Sequence, residues 1–216
     1  MSQTEQRIGM LGGTFDPVHL GHLRSAVELH EALSLDRLHM IPAQQPPLRG
    51  QPQVSAQQRL RLLEAGIAGT PGLVADDREL RRDGPSYSAD TLAELRAEYG
   101  EQVRLVMAIG IDAFLRLTQW HQPERLFELA HLVVIARPGY GDVLPASLTE
   151  LVEHRRVDSV EALMQRPCGS YLPLELPSLM AISATYIREC LEAGKSVRYL
   201  LPDPVEQAIE QGSLYR

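Results

Sequence analysis

Cysteine is nearly absent. Cys168 and Cys190 are the two in 216 residues, they sit in no metal or redox spacing, and they exclude a disulfide scaffold. Free structural thiols follow. A basic excess is also missing: 21 Lys and Arg stand against 28 Asp and Glu, for a formal net charge of -7. Broad nucleic-acid binding normally carries a basic footprint, so any phosphate site here has to be a local feature. Long apolar runs are lacking too. The most apolar later stretch, residues 129–136, is far too short to cross a bilayer and contains His131. Residues 1–7 are polar and the following turn carries Gly, Asp and Pro, so no signal-peptide core is expected. There is no internal repeat, coiled coil or low-complexity segment. The expectation is a cytoplasmic protein with neither a membrane nor a nucleic acid as partner.

What is present is an ordinary globular composition, 44% hydrophobic and 23% charged. The length suits a single domain, 1–216, with a small C-terminal helical part over about 183–216.

The most informative stretch is Gly12-Gly13-Thr14-Phe15-Asp16-Pro17-Val18-His19-Leu20-Gly21-His22. Residues 8–11 are a short apolar run, and Leu20, Leu23, Val27 and Leu33 recur at helical spacing, which predicts strand, tight turn, helix. Adjacent glycines let backbone approach a ligand without a Cβ in the way, and a helix N-terminus offers free N–H groups to an anion. At spacing i, i+3, His19 and His22 share one face and can donate to the same phosphate. Gly21 keeps that face open. Either element alone would read as a plain turn or as capping histidines. The two histidines could also chelate a metal, but Asp16 is the one obvious further ligand, and no H-E-x-x-H or Cys pair completes a site.

Further along, strands are expected at 37–41, 73–75, 103–109 and 132–135, with weak strands about Val160 and Leu172. Helices are expected at 55–68, where Ser55 is the N-cap, and from Ser88 or Asp90 to Tyr99. Further helices are expected at 112–117, 123–129, near 148–154 and from Thr185, with breaks at Gly194 and Pro202. Residues 43–53, rich in Pro and Gln, read as an exposed loop. The alternation implies an α/β fold with a doubly wound, mainly parallel sheet and right-handed crossovers. Ligands of such sheets bind beyond the carboxyl ends of the strands, where the winding reverses. The turns at Gly12-Gly13, Gly110-Ile111-Asp112 and Arg137-Pro138-Gly139 all follow strands.

A second constellation is Ile182-Ser183-Ala184-Thr185-Tyr186-Ile187-Arg188. Ser183 or Thr185 can cap the helix that follows. Arg188, a cation in the first turn, is opposed by the helix dipole, so it calls for a nearby anion or for its neighbour Glu189. Asp112 can accept from ribose hydroxyls or act as an N-cap. Trp120, the only tryptophan, can pack in the core or stack on a ring, and Arg137 can stack on a base or pair with a carboxylate.

With these residues on the page, the chain resembles the nucleotidyltransferases that carry the H-x-G-H motif, in their bacterial nicotinate mononucleotide adenylyltransferase branch, from about residue 8 onward. Besides the opening turn and residues 182–188, the resemblance rests on Arg81-Arg82-Asp83-Gly84-Pro85-Ser86-Tyr87-Ser88-Ala89-Asp90-Thr91-Leu92, on residues 110–120 and on Lys195-Ser196-Val197-Arg198-Tyr199-Leu200-Leu201-Pro202. One departure is clear: many members carry His followed by Lys or Arg after the two prolines of the loop, whereas Pro46-Pro47 precede Leu48 and Arg49.

The resemblance implies a Rossmann-like fold and the reaction of ATP, with Mg²⁺, and nicotinate mononucleotide to deamido-NAD and pyrophosphate. It implies catalytic roles for His19, His22 and Arg188. ATP contacts are implied at Gly12, Gly13, Thr14, Phe15, Gly110, Asp112, Arg137, Ser183 and Thr185, and acceptor contacts at Arg49, Thr91 and Trp120. A monomer or homodimer is expected. The alternatives are the same transfer to nicotinamide mononucleotide or phosphopantetheine, a nucleotide-binding protein without turnover, and a fragment of a tRNA ligase. The basic surface and lysine-rich second motif of the last are missing.

Overall fold

A computed structural model describes residues 6–47, 50–136, 144–178 and 180–216. Among these, six strands form one sheet: β1 (Arg7–Gly13), β2 (Arg37–Pro42), β3 (Leu73–Ala75), β4 (Arg104–Gly110), β5 (His131–Ile135) and β6 (Tyr171–Leu174). Every pairing is parallel and the spatial order is β3-β2-β1-β4-β5-β6. The winding therefore reverses between β1 and β4, whose register sets Leu11 beside Ala108. In this topology a crevice opens at the carboxyl ends of those two strands, and there Gly12, Gly13 and Gly110 lie. The doubly wound parallel fold expected from the alternation is the fold observed.

Side chains alternate across the sheet into two cores. Ile8, Met10, Leu105 and Met107 face one side, with Leu92 and Leu95 of α3 (Ser88–Tyr99) and Leu126 and Phe127 from the Pro123–Leu129 helix. Leu11, Val106, Ala108 and Val133 face the other, against α1 (Leu20–Ala32) and α2 (Ala56–Ile67). β4 is buried from Arg104 to Ile109, which is why it reads as a near-continuous apolar run. The Ser55 cap is present as a full capping box: its hydroxyl accepts from the Gln58 N–H, and the Gln58 side chain accepts from the Ser55 N–H.

The remaining helices are α4 (Ile111–Phe114), α5 (Pro123–Leu129), α6 (Ala146–Val152), α7 (Val160–Leu163), α8 (Ala184–Glu192) and α9 (Asp203–Gln211). The expected strand at Val160 is helical instead, because Ser159 caps it by accepting from the Ala162 N–H at 3.1 Å. The helix expected over 112–117 is one turn, followed by a 3₁₀ turn at Leu117–Gln119. Ile187, Cys190, Val205 and Ile209 of α8 and α9 enter the same core as α1 and α2. Gly66 permits that close approach, since a methyl there would lie 3.2–3.3 Å from Val205, Leu23 and Val18. No described helix is long and apolar enough to cross a membrane.

Candidate active site

β1 delivers Gly12 and Gly13 to the rim, and the chain then turns sharply through Phe15, whose φ is 49°. Gly13 is required there: a Cβ would lie 2.9 Å from the buried Phe15 ring. α1 begins immediately after, with an unusual cap. His19, in extended backbone conformation, is the N-cap, and its Nδ1 accepts from the His22 N–H at 3.3 Å. The two imidazoles stack at 3.6 Å between centroids and 21° between planes, and Phe15 meets His22 edge-on at 5.1 Å. The sequence spacing implied two histidines on one helix face. The rings are indeed together, but because the first folds back as a cap onto the amide of the second.

This arrangement fixes the chemistry of His19. The ring is 5% exposed, and burial lowers its pKa from 6.5 to about 4, so it is neutral near pH 7. With Nδ1 accepting, the proton of a neutral ring is on Nε2, which makes His19 a hydrogen-bond donor without a positive charge. Gly21 lies against this ring. A methyl on it would be 3.1 Å from His19 Cε1 and Nδ1, and 3.5 Å from Ile182 Cβ.

Ile182 belongs to the second constellation, so the two motifs are neighbours in space. Ser183 is the N-cap of α8, accepting from the Tyr186 N–H at 3.2 Å. Arg188 does not turn to Glu189. Its Nη1 donates to the main-chain oxygen of Asp16 at 2.7 Å and lies 3.9 Å from that residue's carboxylate, while Nη2 reaches Thr185 Oγ1 at 3.4 Å. A second tie, from Leu20 N–H to Leu200 O at 3.0 Å, joins the start of α1 to the segment between α8 and α9. The cation from the far end of the sequence is thus set beside the turn that carries the histidines.

Asp16, the residue available as a further metal ligand, is buried and engaged. Its carboxylate accepts from Gln53 N–H at 2.9 Å and from the Tyr215 hydroxyl at 2.9 Å. Among the described residues no group of three or more His, Cys, Asp and Glu side chains is placed to hold a metal. Below the turn, the fully buried Arg59 donates to Thr14 O and Ala43 O, both at 2.7 Å, and so ties the ends of β1 and β2 together.

Gly110 ends β4 beside β1, and Asp112 is exposed in the first turn of α4, on the same rim. On the other side of the crevice, Ser86 Oγ accepts from Gln44 N–H at 2.8 Å, which holds the segment 84–88 against the loop after β2. Tyr87 stacks on His121 at 4.2 Å, next to the half-buried Trp120. Trp120 packs partly against the core, the first of its two readings. Thr91 is engaged within the protein. It is completely buried, its hydroxyl donates to Glu79 Oε1 and accepts from Arg82 Nη2, both at 2.6 Å, and so its side chain braces the wall from beneath. Arg49 and Arg137 lie outside the described residues.

Sequence reasoning missed Arg59, Tyr87 and Tyr215. Tyr87 sat inside a quoted motif, whereas Arg59 and Tyr215 acquire their roles through contacts that no local pattern signals. Two open surface hollows, of about 340 and 410 Å³, border α5 and contain none of His19, His22, Ser183 and Arg188.

Comparison with known proteins agrees with this geometry. The cytidylyltransferase-like family matches residues 10–190. The probable nicotinate-nucleotide adenylyltransferase of Chromohalobacter salexigens is 62% identical over 209 residues, covering 97% of this chain and 95% of its own length. That of Pseudomonas fluorescens is 46% identical over 211 residues, covering 98% of each. The nicotinic acid mononucleotide adenylyltransferase of Plasmodium falciparum, solved in complex with NaAD, superposes with a TM-score of 0.71 over 97% of both chains at 14% identity. Its complex with APC gives 0.69. At that identity the structural likeness concerns the fold, and the lineage rests on the sequence relatives: the chain belongs to the cytidylyltransferase-like family and, within it, to the nicotinate-nucleotide adenylyltransferases.

Proposed function

We propose that the chain transfers the adenylyl group of ATP to nicotinate mononucleotide, giving deamido-NAD and pyrophosphate, in NAD biosynthesis. The observation that carries this reading is the docking of Arg188 on Asp16, three residues before His19, which converts two distant motifs into one anion-binding clamp. The acceptor's phosphate, with a second pKa near 6, is ionised at neutral pH, so it can attack without a general base. Its oxygen forms a bond to the α-phosphorus as the bond from that phosphorus to the bridging oxygen of pyrophosphate breaks in line.

Catalysis then reduces to positioning and to neutralising charge on the phosphoryl oxygens. His19 Nε2–H, His22, Arg188, Ser183 and Thr185 supply donors to the triphosphate. Backbone at Gly12, Gly13, Thr14 and Phe15 approaches it closely. Gly110 and Asp112 hold the ribose side, where Arg137 is expected to meet the adenine. Tyr87, His121 and Trp120 form the aromatic wall for the pyridine ring, with Arg49 as the cation for the acceptor's phosphate. Mg²⁺ enters as part of the substrate, on the phosphate oxygens of ATP, and adds charge neutralisation there.

Pyrophosphate release from MgATP, compared side by side with nicotinate mononucleotide, its amide and phosphopantetheine, tests the reading. Preference for the acid supports it. Equal rates with acid and amide remove the claimed specificity, and saturable ATP binding without release in any arm favours a nucleotide-binding protein without turnover.

A further inference from the structure

Asp16 is the point where the two motifs meet, and a residue outside both holds it in place. Tyr215, 199 positions away in sequence, donates its hydroxyl to Asp16 Oδ1 at 2.9 Å. The other carboxylate oxygen accepts from Gln53 N–H, and the same residue's main-chain oxygen receives Arg188. Both partners are buried, Tyr215 at 5% exposure and Asp16 at 5%. Tyr215 also has a left-handed backbone with φ at 59°, a conformation uncommon for a bulky aromatic. The ring is held by the core shared with Ile209 and Val205 of α9, so the tail is folded inward onto the site.

We propose that Tyr215 is a positioning residue for adenylyl transfer: through Asp16 it fixes the turn that carries His19 and the guanidinium of Arg188 in one geometry. Asp16 has few alternatives. It is acceptor-only when ionised, and in a buried setting each oxygen needs its own donor. Removing the hydroxyl leaves Oδ1 without its donor and frees the carboxylate to turn toward Arg188, at present 3.9 Å away. The guanidinium then shifts relative to the triphosphate, although no ligand contact has been removed. Burial, and next the negative Asp16, push the Tyr215 phenol upward in pKa, so it remains a neutral donor across the working pH range.

The proposal rests on the adenylyl-transfer reading, and its test is scored relative to wild-type turnover, so that a wild type without turnover retires that reading and leaves this contact unscored by kinetics but still readable by amide exchange. Tyr215→Phe keeps the ring and removes the hydroxyl. The expected result is a roughly tenfold lower kcat with KM for both substrates within about twofold, because a charge-assisted hydrogen bond is lost and orientation suffers. Amide exchange over residues 14–23 should rise while that of β4 and β5 stays as in the wild type. Tyr215→Met, which also lacks the hydroxyl, should match it. Wild-type kcat together with unchanged exchange in 14–23 overturns the proposal. So does a uniform rise in exchange across the sheet, which would assign Tyr215 to global stability alone.

Discussion

Replacing Gly21 by Ala separates the stability of the site from its chemistry. Gly21 is in the first turn of α1 and does not use a positive φ, so the backbone accepts alanine. Relative to glycine, alanine favours the helix by up to about 1 kcal/mol. The new methyl, however, would lie 3.1 Å from two atoms of the His19 ring and 3.5 Å from Ile182 Cβ. The ring cannot simply swing aside, because Nδ1 is tied to the His22 N–H and its face is stacked on His22. A shift of roughly a few tenths of an ångström follows, carried to both histidines. Since about 1 Å of misplacement costs on the order of 10²-fold in rate, a shift of a few tenths of that should lower kcat roughly 4- to 10-fold. The melting temperature should stay within about 3 °C of wild type or rise, at roughly 2–4 °C per kcal/mol for a chain of this size. The assay is steady-state pyrophosphate release beside a thermal melt. A kcat within twofold of wild type would refute the claim that the His19 position limits the reaction.

Other perturbations follow from the same geometry. His19 is neutral in the folded state down to about pH 4, while the unfolded ring takes a proton below 6.5, so its stabilising contribution is complete above pH 6.5 and is lost as pH falls toward 4. The difference in unfolding free energy between wild type and His19→Asn, which keeps a capping side chain, should shrink by about 3 kcal/mol across that window; parallel pH profiles would contradict it. Arg59→Leu leaves Thr14 O and Ala43 O without their donor and should cost about 3 kcal/mol, or roughly 6–12 °C in Tm, by calorimetry. Thr91→Val removes a hydroxyl bonded to Glu79 and Arg82 and should lower Tm with little change in KM for the acceptor; a large KM effect would return Thr91 to the ligand surface.

Much of this was legible in the sequence because it is local. The strand, turn and helix of residues 7–32, the Ser55 capping box and the buried run of β4 each follow from spacing within one element. The shared rim of Gly12 and Gly110 followed from alternation alone, since a doubly wound sheet allows few other placements. What was not legible depends on distant partners. Val160 looked extended until Ser159 capped it, the bonds of Thr91 to Arg82 and Glu79 were not visible in its motif, and nothing local joined Asp16 to Gln53, Tyr215 and Arg188. Arg188 shows the middle case. The helix dipole argued that it needed an anion or its acidic neighbour Glu189, on the premise that it lies in the first turn; it is instead the fifth residue of α8, past that turn, and its partner is a main-chain oxygen 172 positions away.

Pyrophosphate release from MgATP by the wild type and His22→Ala, with and without nicotinate mononucleotide, bears most directly on the clamp. Release by the wild type should depend on the acceptor, and the variant should lose on the order of 10²–10³ in kcat while its melting temperature is preserved, the cost of one preorganised donor. Near wild-type release by a folded His22→Ala protein would contradict the assignment of the triphosphate to this site.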